Sequence, residues 1–127
     1  MDIQNKNIKV LIVEDNRIIA LDIKESLEEF GFNVVGTVSR GEKALSWFSS
    51  NYCDVVIMDI NLEGRLNGLE TAKYIIEDIK IPIVIISAQT DDYSIQFAKE
   101  IGIQEYITKP ASPEQIANSI KRVLSLP

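Results

Sequence analysis

Four short stretches of this chain carry groups that could act together on a phosphoryl group: Glu14-Asp15, Asp59, Ser87 and Lys109. Each follows an apolar run: Val10–Val13, Val55–Met58, Ile83–Ile86 and Tyr106–Thr108. Each therefore stands where a β-strand should end. In an open α/β sheet the carboxyl ends of parallel strands face one crevice, so these groups are expected to converge. Three carboxylates, a hydroxyl and an ammonium in one crevice suit a divalent cation and a phosphoryl group. The three acids and the lysine leave the crevice two charges negative, which one Mg²⁺ neutralises. Mg²⁺ keeps several waters and takes few protein oxygens, so this supply of ligands is adequate.

The elements that must position these groups follow from periodicity. Short β-rich runs alternate five times with helical patterns, the signature of a parallel sheet covered on both faces. Strands are expected over 8–14, 33–38, 54–59, 82–87 and 104–108, and helices over 16–30, 41–50, 68–79, 91–101 and 112–125. In the first helix Ile19, Ile23, Leu27 and Phe30 recur at helical spacing, and Gly31 supplies a stop. The last opens Ser112-Pro113-Glu114-Gln115, which is an N-cap, a first-turn proline and a capping-box partner in one tetrapeptide. The expected architecture is a doubly wound (βα)₅ sandwich of three layers. It forms one domain over 1–127, with its core at about 8–125 and a polar tail at 1–7.

Taken singly, each residue has a plainer reading. Asp15 or Asn16 could simply cap a helix, where acids also favour the positive end. A strand-ending Asp59 could be turn chemistry, and Ser87 and Lys109 could be inert or solvated. A dinucleotide or flavin site would need small residues at the first turn to approach a phosphate, and no glycine lies between Lys9 and Phe30. Two carboxylates at that turn repel phosphate unless a cation sits between them. Pro110 disfavours the helical region for Lys109, so the ammonium gains a defined direction.

Composition narrows the field further. The net charge of −6 argues against a nucleic-acid or anionic-membrane surface. No window approaches the ~20 apolar residues of a membrane span, and the start of the chain lacks the apolar core of a signal peptide. With a lone Cys53 an internal disulfide is excluded, as suits a reducing compartment; a cytoplasmic location is expected. With no histidine, any metal must be a hard cation held by oxygens, Mg²⁺ or a similar ion such as Mn²⁺.

With those residues in place, the chain resembles the receiver domain of two-component response regulators from Lys9 to Leu124. The motifs are Glu14-Asp15, Met58-Asp59, Ser87-Ala88 and Lys109-Pro110, in order and at family-like spacing. The resemblance implies a flavodoxin-like fold with strand order 2-1-3-4-5. It also implies that Asp59 is the phosphoacceptor. Asp15, Asp59 and the main-chain carbonyl of Asn61 would hold Mg²⁺, with Glu14 on a metal-bound water. Lys109 would pair with the phosphoryl oxygens. Ser87 would turn its hydroxyl to them, and Tyr106 would swing inward as an aromatic switch. The donor would be a sensor histidine kinase, a phosphotransfer protein or a small phosphodonor. Its docking face would be the first helix near Arg17 and Ile18 with the loop at Pro110-Ala111. The α4-β5-α5 face, with Ile95, Tyr106 and Lys121, would pair with a second copy or an output partner.

Departures from the common family pattern gather after Asp59. The stretch Ile60–Gly68 lacks the Met-Pro step of many receivers and has one residue more than they do, with Gly64 expected to absorb the extra residue. Serine replaces the more frequent threonine at 87, but the hydroxyl is kept. Two other readings compete. An aspartate-nucleophile phosphohydrolase of the haloacid dehalogenase type would resemble Asp-x-Asp-x-Thr, whereas this chain reads Asp59-Ile60-Asn61-Leu62-Glu63. A pseudo-receiver usually lacks an acid or the lysine, and none is missing here. The domain itself is expected not to be an enzyme beyond its own aspartyl phosphorylation and dephosphorylation.

Overall fold

A computed structural model describes residues 7–60, 67–88 and 91–126. The elements run β1 (Lys9–Val13), α1 (Arg17–Glu29), β2 (Asn33–Val38), α2 (Gly41–Trp47), β3 (Val55–Met58), α3 (Gly68–Tyr74), β4 (Ile83–Ser87), α4 (Asp92–Glu100), β5 (Glu105–Thr108) and α5 (Pro113–Val123). The five strands form one parallel sheet in the order β2-β1-β3-β4-β5. This is a flavodoxin-like fold, as expected.

Alternate strand residues enter opposite cores, because successive strand side chains point to opposite faces. Val10, Ile12, Val55, Ile57, Val84 and Ile86 pack with Ala20, Ile23 and Leu27 of α1 and Ile116, Ala117 and Ile120 of α5. Leu11, Val13, Val56, Met58, Ile83 and Ile85 pack on the other face with Ala44 of α2, Leu69 and Ala72 of α3, and Ala98 of α4. Burial of both faces explains why the strands read as unbroken apolar runs.

Some boundaries differ from expectation. The second helix ends at Trp47, not residue 50, because Ser49 Oγ and Asn51 Nδ2 donate to the carbonyls of Ser46 and Trp47 at 2.6 and 2.9 Å. The third passes at Ile75 into a π-helical segment, Ile75–Ile79, that stops at Lys80 in a left-handed conformation. The buried stripe of α1 is Ala20, Ile23 and Leu27; Ile19 is 36% exposed and Phe30 half-buried. Gly31 does follow the helix, at φ 94°. Ser112 and Gln115 form the expected capping box, with Pro113 at the first turn.

Candidate functional site

The ladder that builds the sheet continues past the strand ends and fixes the backbone of three candidate residues. Glu14 N–H donates to Val38 O at 2.9 Å, Asp59 N–H to Val13 O at 3.0 Å, and Lys109 N–H to Ser87 O at 2.8 Å. Lys109 also precedes a cis peptide bond to Pro110. The first turn is divided between two tasks. Asn16, not Asp15, caps α1: its side-chain oxygen accepts from Ile18 N and Ile19 N at 3.0 and 3.1 Å. That frees Asp15 for the crevice, while Glu14 Oε2 accepts from Asn16 N–H at 3.2 Å.

The side chains of Glu14, Asp15, Asp59 and Lys109 come together. One oxygen each from Glu14, Asp15 and Asp59 lies within 4.8 Å of the others. Lys109 Nζ donates to Asp59 Oδ2 at 2.7 Å and approaches Glu14 Oε1 at 3.4 Å. Glu14 and Asp59 are buried, and the Lys109 side chain is 26% exposed. Burial works against the Lys109 charge, yet its bonds and attraction to Asp59 and Glu14 hold the ammonium above its ordinary range. Burial, followed by a side-chain hydrogen bond with Asp15, pushes the Glu14 carboxyl up to about 7. The chain's own cation therefore does not balance its acids. A buried cluster of hard oxygens with an excess of negative charge fits a hard divalent cation.

Ser87 is fully buried at the end of β4, and its side chain is hydrogen-bonded to Tyr106. The Tyr106 ring is half-buried and packs against the core on the α2-α3-α4 face, and burial raises the phenol above its ordinary range. Asn61 and Gly64 lie outside the described residues.

Sequence reasoning passed over the contact that seats Asp59 from behind. Gly68 N–H donates to Ile60 O at 2.9 Å. A Cβ at Gly68 would lie 2.2 Å from Ile60 Cα and 2.5 Å from Asp59 O. Only glycine lets α3 press directly on that peptide. The signal in the sequence was a glycine at the start of an otherwise well-formed helix.

The sequence profile of the response regulator receiver domain matches residues 10–121. The chain belongs to this family. As a receiver domain it is 30% identical over 119 residues to the alkaline phosphatase synthesis transcriptional regulatory protein PhoP of Bacillus subtilis, covering 93% of this chain and 49% of that protein. It is 32% identical over 120 residues to the response regulator UvrY of Escherichia coli, covering 93% of this chain and 55% of that protein. The chain thus spans about half the length of the curated relatives it matches. Among solved structures, the signal receiver domain of a modulated diguanylate cyclase from Desulfovibrio desulfuricans superposes with a TM-score of 0.86 at 32% identity, covering 92% of this chain and 93% of that one. No helix among the described residues of this receiver domain is long and apolar enough to cross a membrane.

Proposed function

We propose that the domain is the phosphoacceptor switch of a two-component phosphorelay. The observation that carries this reading is the Lys109 ammonium 2.7 Å from Asp59 Oδ2, inside a cluster of three acids. A carboxylate oxygen of Asp59 attacks the phosphorus of a phosphohistidine on a kinase or phosphotransfer partner. The new P–O bond forms as the P–N bond breaks, and the electron pair returns to the imidazole. Phosphoryl transfer asks little covalent chemistry of the protein beyond position and charge. Lys109 supplies a positive charge beside the phosphoryl oxygens as Asp59 reacts. Asp15, Asp59 and the Asn61 carbonyl would hold Mg²⁺ or Mn²⁺, with Glu14 acting through water; the cation supplies charge neutralisation for the phosphoryl group.

An aspartyl phosphate adds negative charge and acceptor oxygens where a carboxylate stood. Ser87 then has two claimants for its hydroxyl, Tyr106 and the phosphoryl group. A contact available only in the phosphorylated state shifts a two-state equilibrium, and a bias of ~1–3 kcal/mol changes partner affinity 5- to 150-fold. The exposed apolar Ile18 on α1, 81% exposed, supports a phosphodonor-docking face there with Pro110-Ala111. The α4-β5-α5 face would meet a second copy or an output partner, and the setting would be cytoplasmic.

Intact mass of the wild type and Asp59→Asn, each incubated with Mg²⁺ and acetyl phosphate, tests this reading. A Mg²⁺-dependent gain of one phosphoryl group, lost in the variant, is expected. No adduct with either this donor or beryllofluoride would leave the domain a binding module that keeps the fold without the chemistry.

A further inference from the structure

Beside the acid cluster, α1 and the β2–α2 corner enclose a groove of about 450 Å³. Its walls carry three cations: Arg17 and Lys24 from α1, and Lys43 from α2. The only carboxylate in the lining is Glu14. That balance runs against the chain as a whole, where 19 acidic residues outnumber 13 basic ones. Among the described residues the three side chains have no ion pair or hydrogen bond, unlike Lys109 and Arg122, which are both paired. Arg17 and Lys43 are exposed and Lys24 is half-buried, so these charges face solvent and are open to an anion.

The geometry narrows the ligand. Arg17 and Lys24 are seven residues apart on one helix face, about 10 Å along the axis, and Lys43 stands opposite. Between the two α1 cations lie Ala20 and Leu21, with Leu21 54% exposed. Thr37 and Ser39 add hydroxyls from the end of β2. A single phosphate cannot engage cations spread over that length while also covering an apolar floor. A ligand with several phosphoryl groups and one flat apolar ring system matches both features. The guanidinium offers bidentate geometry to phosphate, and the ammoniums offer point charges. The volume falls in the range of small-molecule and cofactor sites.

We propose that this groove is a binding site for a nucleoside polyphosphate, separate from the phosphoacceptor. Glu14 lines both the groove and the acid cluster, so occupancy is felt at Asp59, and by reciprocity phosphorylation is felt in the groove.

The test titrates the full chain with ATP by calorimetry, with EDTA present so that the acid cluster cannot recruit phosphates through a divalent cation. Inorganic phosphate, pyrophosphate and an oligoglutamate peptide serve as parallel ligands. Saturable ATP binding tighter than about 1 mM is expected, retained in Asp59→Asn and weakened at least about tenfold in Lys24→Ala/Lys43→Ala. The double variant should keep its fold and its labelling by acetyl phosphate. No saturation in that range overturns the proposal, as does equal affinity in the double variant. Oligoglutamate or inorganic phosphate binding as tightly as ATP also overturns it, because it reduces the groove to unspecific attraction of anions.

Discussion

Replacing Glu14 by glutamine should make the metal-free protein more stable, and only above a defined pH. The Glu14 carboxyl rises from an ordinary value of 4.5 to about 7, chiefly through burial and then through its hydrogen bond with Asp15. Between those two values the folded chain holds a proton that the unfolded chain has released. Stability therefore falls as pH rises through this window, by about 1.4 kcal/mol per unit and about 3 kcal/mol in all. Below the window the penalty is absent, and above it the penalty is complete and constant. Glutamine has no proton to lose, keeps an oxygen for the Asn16 N–H, and should flatten this part of the profile.

Other shifted groups fall outside the window. Lys109 is raised above 10.5, so its contribution is fully present until higher pH. Asp91 and Glu105 are lowered from 3.8 and 4.5, so theirs is lost only on further acidification. The raised Cys53 and Tyr106 titrate in the alkaline range. Urea denaturation in EDTA, at intervals from about pH 4 to about pH 8, reads the difference directly. The variant should match the wild type at the acid end and exceed it by about 2–3 kcal/mol at the alkaline end. Excess Mg²⁺ at the alkaline end should restore the wild type by binding the folded state. Parallel profiles for the two proteins would refute the reasoning, because Glu14 would then not be the group that carries the strain of the cluster.

Three further substitutions probe the supports of the site. Gly68→Ala drives a Cβ into the Asp59–Ile60 backbone. It should cost about 3 kcal/mol or more in denaturant unfolding and sharply slow acetyl phosphate labelling; an unchanged midpoint would show that α3 can slide away freely. Asn16→Ala removes two capping bonds from α1. It should cost about 1 kcal/mol with the labelled mass unchanged, and a loss of labelling at full stability would instead place Asn16 in the chemistry. Ser87→Ala leaves the Tyr106 hydroxyl without its partner. About 1 kcal/mol of stability should go, with Asp59 still phosphorylated but with no phosphorylation-dependent change in the Tyr106 ring resonances; a preserved change would remove Ser87 from the switch.

The sequence was informative wherever a residue's type already implied its surroundings. Runs such as Val55–Met58 could be read as strands because both of their faces are buried. Glu14, Asp15, Asp59 and Lys109 could be grouped because parallel strand ends share a crevice. The capping box at Ser112 was equally legible, being purely local. What stayed hidden depended on contacts between distant segments. Which of Asp15 and Asn16 caps α1 is decided by the pull of the acid cluster. The buried stripe of α1 falls on Ala20 instead of Ile19 because the sheet selects the face. The π-helical segment ends at Lys80, where a left-handed cap would suggest glycine, so no local cue announced it. The groove of Arg17, Lys24 and Lys43 joins two helices, and its charges look like ordinary solvated surface when read along the chain.

The hydrogen bond from Gly68 to Ile60 does more than seat α3. It closes the connection after β3 at its base, with Gly68 N–H and Ile60 O only 2.9 Å apart. Between two points joined in this way, the chain-entropy cost of lengthening the connection is only about 0.6 kcal/mol per doubling. The position of Asp59 is thereby insulated from the number of residues that follow it. Such a closure lets a lineage add or delete residues beside its most constrained carboxylate without retuning it.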